Sequence, residues 1–254
     1  MSALQIKNYL SRQSAENGEK IGNVLSIWMD YLRMADSLGW DTQDAIIYRA
    51  RKLFQRHDEA SQCLRRKKLQ ERISEKKTAF PTIQQICSSI RKKYEYRSDK
   101  EVYEILVPNG IEDILAEGEC LKHCIDVNNL YLQRIADRET YILFLRKKEN
   151  PMQPYFTLEV EPNGTVRQKS TYYNRQEKNM DEINQFLKRW QRVIQKRLSK
   201  QDKLWTEESQ RKREEEYLQL RKEKKIIFAG NYNGKLLADI LEENLLETEA
   251  EPAA

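Results

Sequence analysis

The chain has 254 residues, of which 39% are hydrophobic and 33% are charged, and its formal net charge at pH 7 is +5. Tyr, Trp, Ile and Leu are too plentiful for a disordered chain, and the excess of positive charge is too small for a polycationic tail. Only 8 Gly and 6 Pro interrupt a sequence rich in Lys, Glu, Gln, Arg and Leu, which favours a mostly helical protein.

The N-terminal segment MSALQIKNYLSRQ lacks the apolar stretch of a signal peptide. No run of the sequence approaches the ~20 apolar residues of a membrane-spanning helix. We therefore expect a cytoplasmic protein without a membrane partner. In that compartment its four cysteines are expected to be reduced thiols, namely Cys63, Cys87, Cys120 and Cys124.

Helical spacing of apolar residues dominates the first part of the chain. Residues 21–38 form one predicted helix, and Gly39 is a typical residue to end it. A second helix over residues 45–54 leads into the long charged stretch QCLRRKKLQERISEKK. Thr82 is placed to cap a further short helix. These patterns predict an N-terminal helical region over residues 1–97.

The character of the sequence changes near residue 100. The segment EVYEILVP has partial strand character, and residues 111–137 are typical of a helix that is broken near Gly118. Three segments rich in β-forming residues follow at 140–147, 154–161 and 165–173. Asn163-Gly164 predicts a tight turn between the last two. We predict that these three segments form an antiparallel sheet.

Residues 179–198 return to helical periodicity, with Ile183, Phe186, Leu187 and Trp190 on one face. Residues 206–225 predict a charged helix with almost no apolar face, which either bridges solvent or is marginally stable. The predicted fold class is α+β, mainly helical, with a small three-stranded antiparallel sheet flanked by helices. An α+β core over residues 98–200 follows the N-terminal region, and residues 201–254 form a charged C-terminal helix and an acidic tail.

Short segments in a fixed order carry a family resemblance over roughly residues 25–200. They are WMDYL at 28–32, EGECLKHCI at 117–125, ILFLR at 142–146 and PYFTLE at 154–159. With these segments in this order, the sequence resembles the PcfJ-like family, whose members occur on conjugative plasmids, integrative elements and phages of bacteria.

The chain departs from the family pattern at two places. Where the family tends to have glycine, this sequence has DVN at 126–128 and TYY at 171–173. Backbone geometry that depends on glycine is therefore not expected there. The resemblance implies a role in mobile-element biology, such as DNA transfer, and it implies no settled catalytic mechanism.

His123 and Cys124 are adjacent on a predicted helix, so their side chains point roughly 100° apart and do not form a base–nucleophile pair. Cys120 and Cys124 share a face, but zinc needs four ligands, and the sequence has no second CxxC or HxxxH cluster. We therefore predict no metal site and no cofactor. We interpret both cysteines as buried thiols that pack the helix.

The candidate catalytic residues combine one histidine with polar side chains near the predicted strands. They are His123, Arg146, Thr157, Glu159, Gln168 and Asn174. We expect His123 to lie near the sheet because the connection between its helix and the strands is short. Thr157 and Glu159 are two residues apart on one strand and therefore share a face. Such a group is either a general acid–base site with an anion-binding arginine or a buried hydrogen-bond network.

The basic run Arg65, Arg66, Lys67 and Lys68 is the segment best suited to contact the phosphates of a nucleic acid. Tyr131 is a candidate for stacking on a base. The alternative is an ordinary solvated helix surface, together with a tyrosine that packs at the rim of a sheet.

The sequence leaves three functions from different classes open. The leading one is a cytosolic mobile-element protein that acts with DNA or RNA, and with other mobile-element proteins, in conjugative transfer or element maintenance. The second is a small metal-independent nuclease-like enzyme that uses His123, Arg146 and Glu159, an analogy at the level of fold. The third is a protein-interaction adaptor without catalysis. An open pocket around those three side chains would favour the enzyme, and a closed network would favour a binding role.

Overall fold

The computed structural model describes residues 2–122, 129–174, 179–228 and 232–248. The chain divides into two compact units, Met1–Glu75 and Lys76–Ala254, and each is described by itself. In the described ranges, none of the helices combines the length and the apolar character that crossing a lipid bilayer requires.

The helices in these ranges, in chain order, are α1 (Ala3–Asn17), α2 (Ile21–Leu38), α3 (Ala45–Tyr48), α4 (Leu53–Ala79), α5 (Ile83–Tyr94), α6 (Ile111–Leu121), α7 (Leu130–Ala136), α8 (Met180–Gln195), α9 (Lys200–Lys222) and α10 (Leu237–Asn244). The strands are β1 (Tyr103–Leu106), β2 (Tyr141–Lys147), β3 (Phe156–Val160) and β4 (Val166–Ser170).

The first unit is helical, as its apolar spacing predicts, but the single helix predicted over residues 45–54 is wrong, because α3 ends at Tyr48 and α4 begins at Leu53. Tyr9, Val24, Tyr31 and Leu53 form part of the core in which α1, α2 and the start of α4 meet. Gly39 ends α2 with a φ of 77°, in the left-handed region where glycine is favoured, so the predicted helix end is confirmed.

The second unit contains a four-stranded antiparallel sheet in the order β1-β2-β3-β4. The prediction of three strands is wrong by one, because the EVYEILVP segment supplies β1. Its four residues pair with β2, from Tyr103 opposite Lys147 to Leu106 opposite Phe144. A strand of this length and partial alternation gives a weak signal, and it becomes regular through pairing with its neighbour.

The predicted tight turn between the last two strands is confirmed. Gly164 has a φ of 93°, and the backbone N–H of Thr165 donates to the side-chain oxygen of Asn163 at 2.9 Å. The backbone N–H of Glu161 donates to the carbonyl of Thr165 at 2.8 Å, which closes the hairpin.

The cross-strand register assigns the side chains to two faces. One face, called here the apolar face, consists mainly of Tyr103, Ile105, Tyr141, Leu143, Leu145, Phe156, Leu158 and Val160. It packs on α5 and α8, where the rings of Tyr94 and Tyr141 lie 5.3 Å apart and those of Tyr103 and Phe186 lie 5.5 Å apart. The Trp190 indole N–H donates to the Tyr94 carbonyl at 2.9 Å.

The opposite face, called here the charged face, carries Glu104, Arg146, Thr157, Glu159 and Gln168. The first four of these side chains are buried. Side chains from α6, α7 and α9 cover this face and make the contacts described below. The sheet is therefore buried on both faces, with apolar packing on one and ionic pairing on the other.

Candidate functional site: an ionic network on one face of the sheet

Arg146 forms a two-pronged ion pair with Glu117 of α6. Its Nη1 donates to Glu117 Oε1 at 2.8 Å, and its Nη2 donates to Oε2 at 2.5 Å. Arg146 is 6% exposed and Glu117 is 3% exposed. Burial raises the pKa of Glu117 above its ordinary value, although the guanidinium acts in the opposite direction. The charge of Arg146 is thus already neutralised inside the protein.

Thr157 completes this first cluster. It lies opposite Phe144 on the charged face, and its side chain hydrogen-bonds to the carboxylate of Glu117. The guanidinium carbon of Arg146 lies 4.8 Å from the centre of the Phe144 ring, a distance typical of a cation–π contact. Two predicted site residues, Arg146 and Thr157, therefore meet through a third residue that the sequence analysis did not select.

The position of Glu117 in the sequence indicates that its side chain is buried. It stands three residues after Ile114 and four before Leu121, and all three side chains are buried on one face of α6. A glutamate at an apolar-periodic position needs a buried partner to offset its desolvation. The helical spacing therefore indicates a buried Glu117, although it does not indicate Arg146 as its partner.

Glu159 belongs to a separate cluster built around Arg134 of α7. Its Oε1 accepts from Arg134 Nη1 at 2.9 Å and from the Thr140 hydroxyl at 3.0 Å. Arg134 also contacts Glu216 at 2.5 Å and Glu139 at 3.3 Å. Burial opposes the charge of Arg134, but these carboxylates together hold its pKa above the ordinary range.

The second carboxylate oxygen of Glu159, Oε2, is buried and has no hydrogen-bond partner among the described residues. Among the described residues, Glu159 forms its ion pair with Arg134 and Arg146 forms its ion pair with Glu117, and the two do not pair with each other. The structure brings the two predicted residues to one face of the sheet and divides them between two ion clusters.

A third cluster fastens α9 to the end of the sheet. Glu159 lies opposite Gln168 and Val160 lies opposite Val166, so Arg167 is the extra residue of a β-bulge. Its Nε donates to Glu161 at 2.8 Å, and its Nη2 donates to the Ser209 carbonyl at 2.7 Å.

Arg213 of α9 joins this third cluster. Its Nε lies 3.0 Å from the Glu161 carboxylate. Burial raises the pKa of Glu161, although Arg167 and Arg213 act in the opposite direction. The prediction that this charged helix bridges solvent or is marginal is therefore wrong. Three of its four buried residues are polar, namely Asp202, Ser209 and Arg213, and ionic partners on the sheet take the place of most of an apolar core.

Gln168 and Tyr131 contact each other at the edge of the network. The Tyr131 hydroxyl lies 3.5 Å from Gln168 Oε1, and both side chains are partly buried. His123 lies outside the described residues, and of Asn174 only the backbone is described, in a short 3-10 turn. The predicted approach of His123 to the sheet therefore stays a prediction.

The basic run at 65–68 is exposed on α4. Four successive helical residues point in directions roughly 100° apart, so they surround the helix instead of forming one contact surface. The ammonium group of Lys67 donates to the Ser37 carbonyl at 2.8 Å. Of the others, Arg65 and Lys68 share one side of the helix.

Cys120 is exposed, so the interpretation of this thiol as buried is wrong. It lies on α6 away from the stripe that contains Ile114, Glu117 and Leu121. Cys124 lies outside the described residues. Within the described ranges, no group of three or more His, Cys, Asp or Glu side chains is arranged to hold a metal ion.

Comparisons with known proteins identify relatives by sequence alone. A family model described as PcfJ-like protein matches residues 27–187. An "Uncharacterized protein Lin1253/Lin1744" of Listeria innocua serovar 6a is 27% identical over 143 residues, which are 56% of this chain and 29% of that protein. The chain thus spans less than a third of the length of this curated relative. No solved structure matches the chain.

Proposed function

Because the chain belongs to the PcfJ-like protein family, we propose that it is a cytoplasmic protein of a mobile genetic element that binds nucleic acid without catalysis. Its role in this proposal is in conjugative DNA transfer or element maintenance, together with other mobile-element proteins. Membership of the family is the reason for proposing a mobile genetic element, and the distribution of positive charge is the reason for proposing nucleic acid as the ligand.

The observation that carries the proposal is the concentration of positive charge at residues 49–68. This stretch contains eight Lys or Arg residues and two acidic residues, a net charge of +6, whereas the whole chain carries +5. All eight basic side chains are exposed. Exposed cations concentrated on one short segment attract the phosphate backbone and release its counterions.

The ionic network supports a binding role over a nuclease-like one. Arg146 and Glu159 are 6% and 2% exposed, and each is engaged by its own partner. A substrate phosphate would have to displace Glu117 from Arg146, and a catalytic base at Glu159 would have to leave Arg134. Both steps would leave a buried charge unpaired, which costs about 3–5 kcal/mol. The network fits a scaffold that fixes helices on the sheet.

The proposal predicts salt-dependent binding of labelled DNA or RNA by the full chain. In a fluorescence anisotropy titration, the logarithm of the association constant should fall linearly with the logarithm of salt concentration. Alanine at Arg65, Arg66, Lys67 and Lys68 should reduce the slope by about 1 to 2 and not by about 4, because at most two of the four side chains face one strand.

Two outcomes would contradict parts of this proposal. An unchanged slope in the fourfold variant would place the phosphate contact elsewhere on the chain. The absence of binding to single-stranded DNA, duplex DNA and RNA at low salt would retire nucleic-acid binding and leave the protein-interaction adaptor as the better function.

A further inference from the structure

The first unit contains an open groove between α1, α3 and the start of α4, with a volume of about 1100 Å³. Its charged lining consists of five basic side chains and one acidic one, namely Arg12, Arg49, Arg51, Lys52, Arg56 and Glu59. The five basic side chains are all exposed. The groove is therefore concave, open to solvent and strongly positive.

Part of this positive charge has no intramolecular counterpart. Arg56 pairs with Glu59 at 3.0 Å, and Arg12 lies 3.6 Å from the half-exposed Glu16. Surface pairs of this kind contribute roughly 0–1 kcal/mol and are readily exchanged for another anion. Arg49, Arg51 and Lys52 make no ion pair with any of the described residues. The groove keeps a net positive charge until an anion enters.

The backbone that carries these three cations is held firmly on α1. The Tyr9 hydroxyl donates to the Ala50 carbonyl at 3.0 Å, and Gln13 Nε2 donates to the Arg51 carbonyl at 3.0 Å. The Leu53 N–H donates back to Gln13 Oε1 at 3.1 Å. Tyr9 and Gln13 are 4% and 0% exposed. Fixing the segment before a ligand arrives removes part of the entropic cost of binding.

The Tyr9 hydroxyl keeps its proton over the working range of pH. Burial, with Tyr31 acting in the same direction, raises the pKa of Tyr9 to about 12. The hydroxyl therefore remains a donor to the Ala50 carbonyl in this range of pH.

The lining selects phosphate and does not select bases. Guanidinium groups donate pairs of parallel hydrogen bonds to phosphate oxygens, and the amides of Gln5 and Asn8 add neutral donors. The aromatic ring in the lining, Tyr9, is almost completely buried, so it offers no surface on which a base can stack. A positive groove without a stacking platform contacts phosphates and reads no base, so its binding does not depend on sequence.

We propose that this groove binds the phosphate backbone of a single nucleic-acid strand through Arg49, Arg51 and Lys52, an assignment that rests on the proposed function. A concave groove admits one strand between its walls, which matches the way single-stranded nucleic acids bind in charged channels. The site lies outside the 65–68 run that sequence reasoning favoured.

The test replaces Arg49, Arg51 and Lys52 together with glutamine in the full chain. A control variant replaces Lys7, Lys20 and Arg33 with glutamine, which removes the same charge from exposed positions of the same unit that do not line the groove. Lys7 points roughly 200° away from Gln5 around α1, on the opposite side from the groove. Circular dichroism and melting temperature confirm that both variants fold.

With a fluorescently labelled oligothymidylate at low salt, the groove variant should lose affinity on the order of 10-fold or more. Its salt slope should fall by about 2, from roughly 0.7 for each of three lost phosphate contacts. The control variant should bind as the wild type does. This pattern supports the groove as the binding site.

Other results overturn the inference in distinguishable ways. If the groove variant matches the control while the 65–68 variant loses binding, the groove assignment fails and the proposed function stands. If the wild type binds no nucleic acid, both fail. Stronger binding of a duplex than of the single strand, or equal displacement by polyglutamate, would overturn the assignment to a single phosphate backbone.

Discussion

On the apolar face of the sheet, Trp190, Phe186 and Tyr94 are fully buried against strand residues, whereas on the charged face the buried side chains include Arg146 and Glu159. Side chains on both faces are therefore buried, and the two faces differ in the kind of contact they make. Apolar burial stabilises a fold in proportion to area and does not depend on direction. Buried ion pairs depend on direction, and the cost of desolvating them offsets most of their Coulomb attraction.

The difference assigns separate roles to the two faces. Of the two faces, the apolar face contributes more to the free energy of folding, because apolar burial carries no desolvation cost for charges. The charged face adds little net free energy, but each arginine must meet its own carboxylate, which fixes the positions of α6, α7 and α9. Mutations that remove one contact at a time test this division.

The largest effect is expected on the apolar face, for Trp190→Ala. Removing the side chain leaves a cavity and an unpaired Tyr94 carbonyl, and we expect a loss of about 4–5 kcal/mol in the free energy of unfolding. The measurement is chemical denaturation followed by circular dichroism. Trp205→Ala is the control, because that indole is partly exposed and contacts Arg138 across its ring. Equal losses in the two variants would refute the division between the faces.

The next effect is expected on the charged face, for Arg146→Met. It leaves Glu117 buried without its partner, and we expect a loss of about 3 kcal/mol at pH 7. The pKa of Glu117 is already raised by burial, and losing Arg146 raises it further. A glutamate whose pKa is higher in the folded state than in the unfolded state stabilises the folded protein at low pH, and this stabilisation disappears as pH rises through the folded-state pKa. Because Arg146→Met raises the folded-state pKa further, the variant gains more stability than the wild type when pH falls. The loss of stability caused by the substitution should therefore shrink from pH 7 towards pH 5.

The double variant Glu117→Met/Arg146→Met provides the control for this second prediction. Replacing both partners by apolar side chains of similar size removes the charge and its desolvation together, so stability should return to within about 1 kcal/mol of the wild type. A double variant as unstable as the single one would show that packing, and not the unpaired charge, causes the loss.

Much of the apolar face could be predicted from the sequence. The stripe through Ile183, Phe186, Leu187 and Trp190 is buried on α8 as its spacing indicates, and the Asn163-Gly164 turn closes the predicted hairpin. These features depend on residues close together in the chain. The segment EVYEILVP shows partial strand character, but its place in the sheet was not predicted, because β1 has four residues and gains its regularity from β2, about forty residues later.

The charged face was predictable only in part, for a physical reason. Alternation placed Thr157 and Glu159 together, but bringing Arg146 to the same face depends on the register between β2 and β3. Hydropathy treats Arg134 and Arg213 as surface residues, and the helical spacing that indicates burial of Glu117 does not indicate its partner. Their partners lie 25 or more residues away, or in another element, so the sequence did not identify the network.

The smallest effect is expected for Glu159→Gln, which keeps the shape of the side chain and removes its charge. Arg134 retains Glu216 and Glu139 as counter-ions, so no buried charge is left alone. The new amide, however, places two N–H donors near the position of Oε2, which has no partner among the described residues. We expect a loss of about 1–3 kcal/mol, less than for Arg146→Met.

This last variant separates a scaffold from a catalytic site when stability and element transfer are measured on the same protein. A destabilised variant whose transfer falls only as far as its abundance falls would agree with a scaffold, because lost stability lowers the amount of folded protein. Transfer abolished at an unchanged melting temperature would make Glu159 a functional group and would contradict the non-catalytic proposal. Normal transfer at a normal melting temperature would show that the Arg134 cluster holds without this charge, and it would remove Glu159 from the scaffold as well.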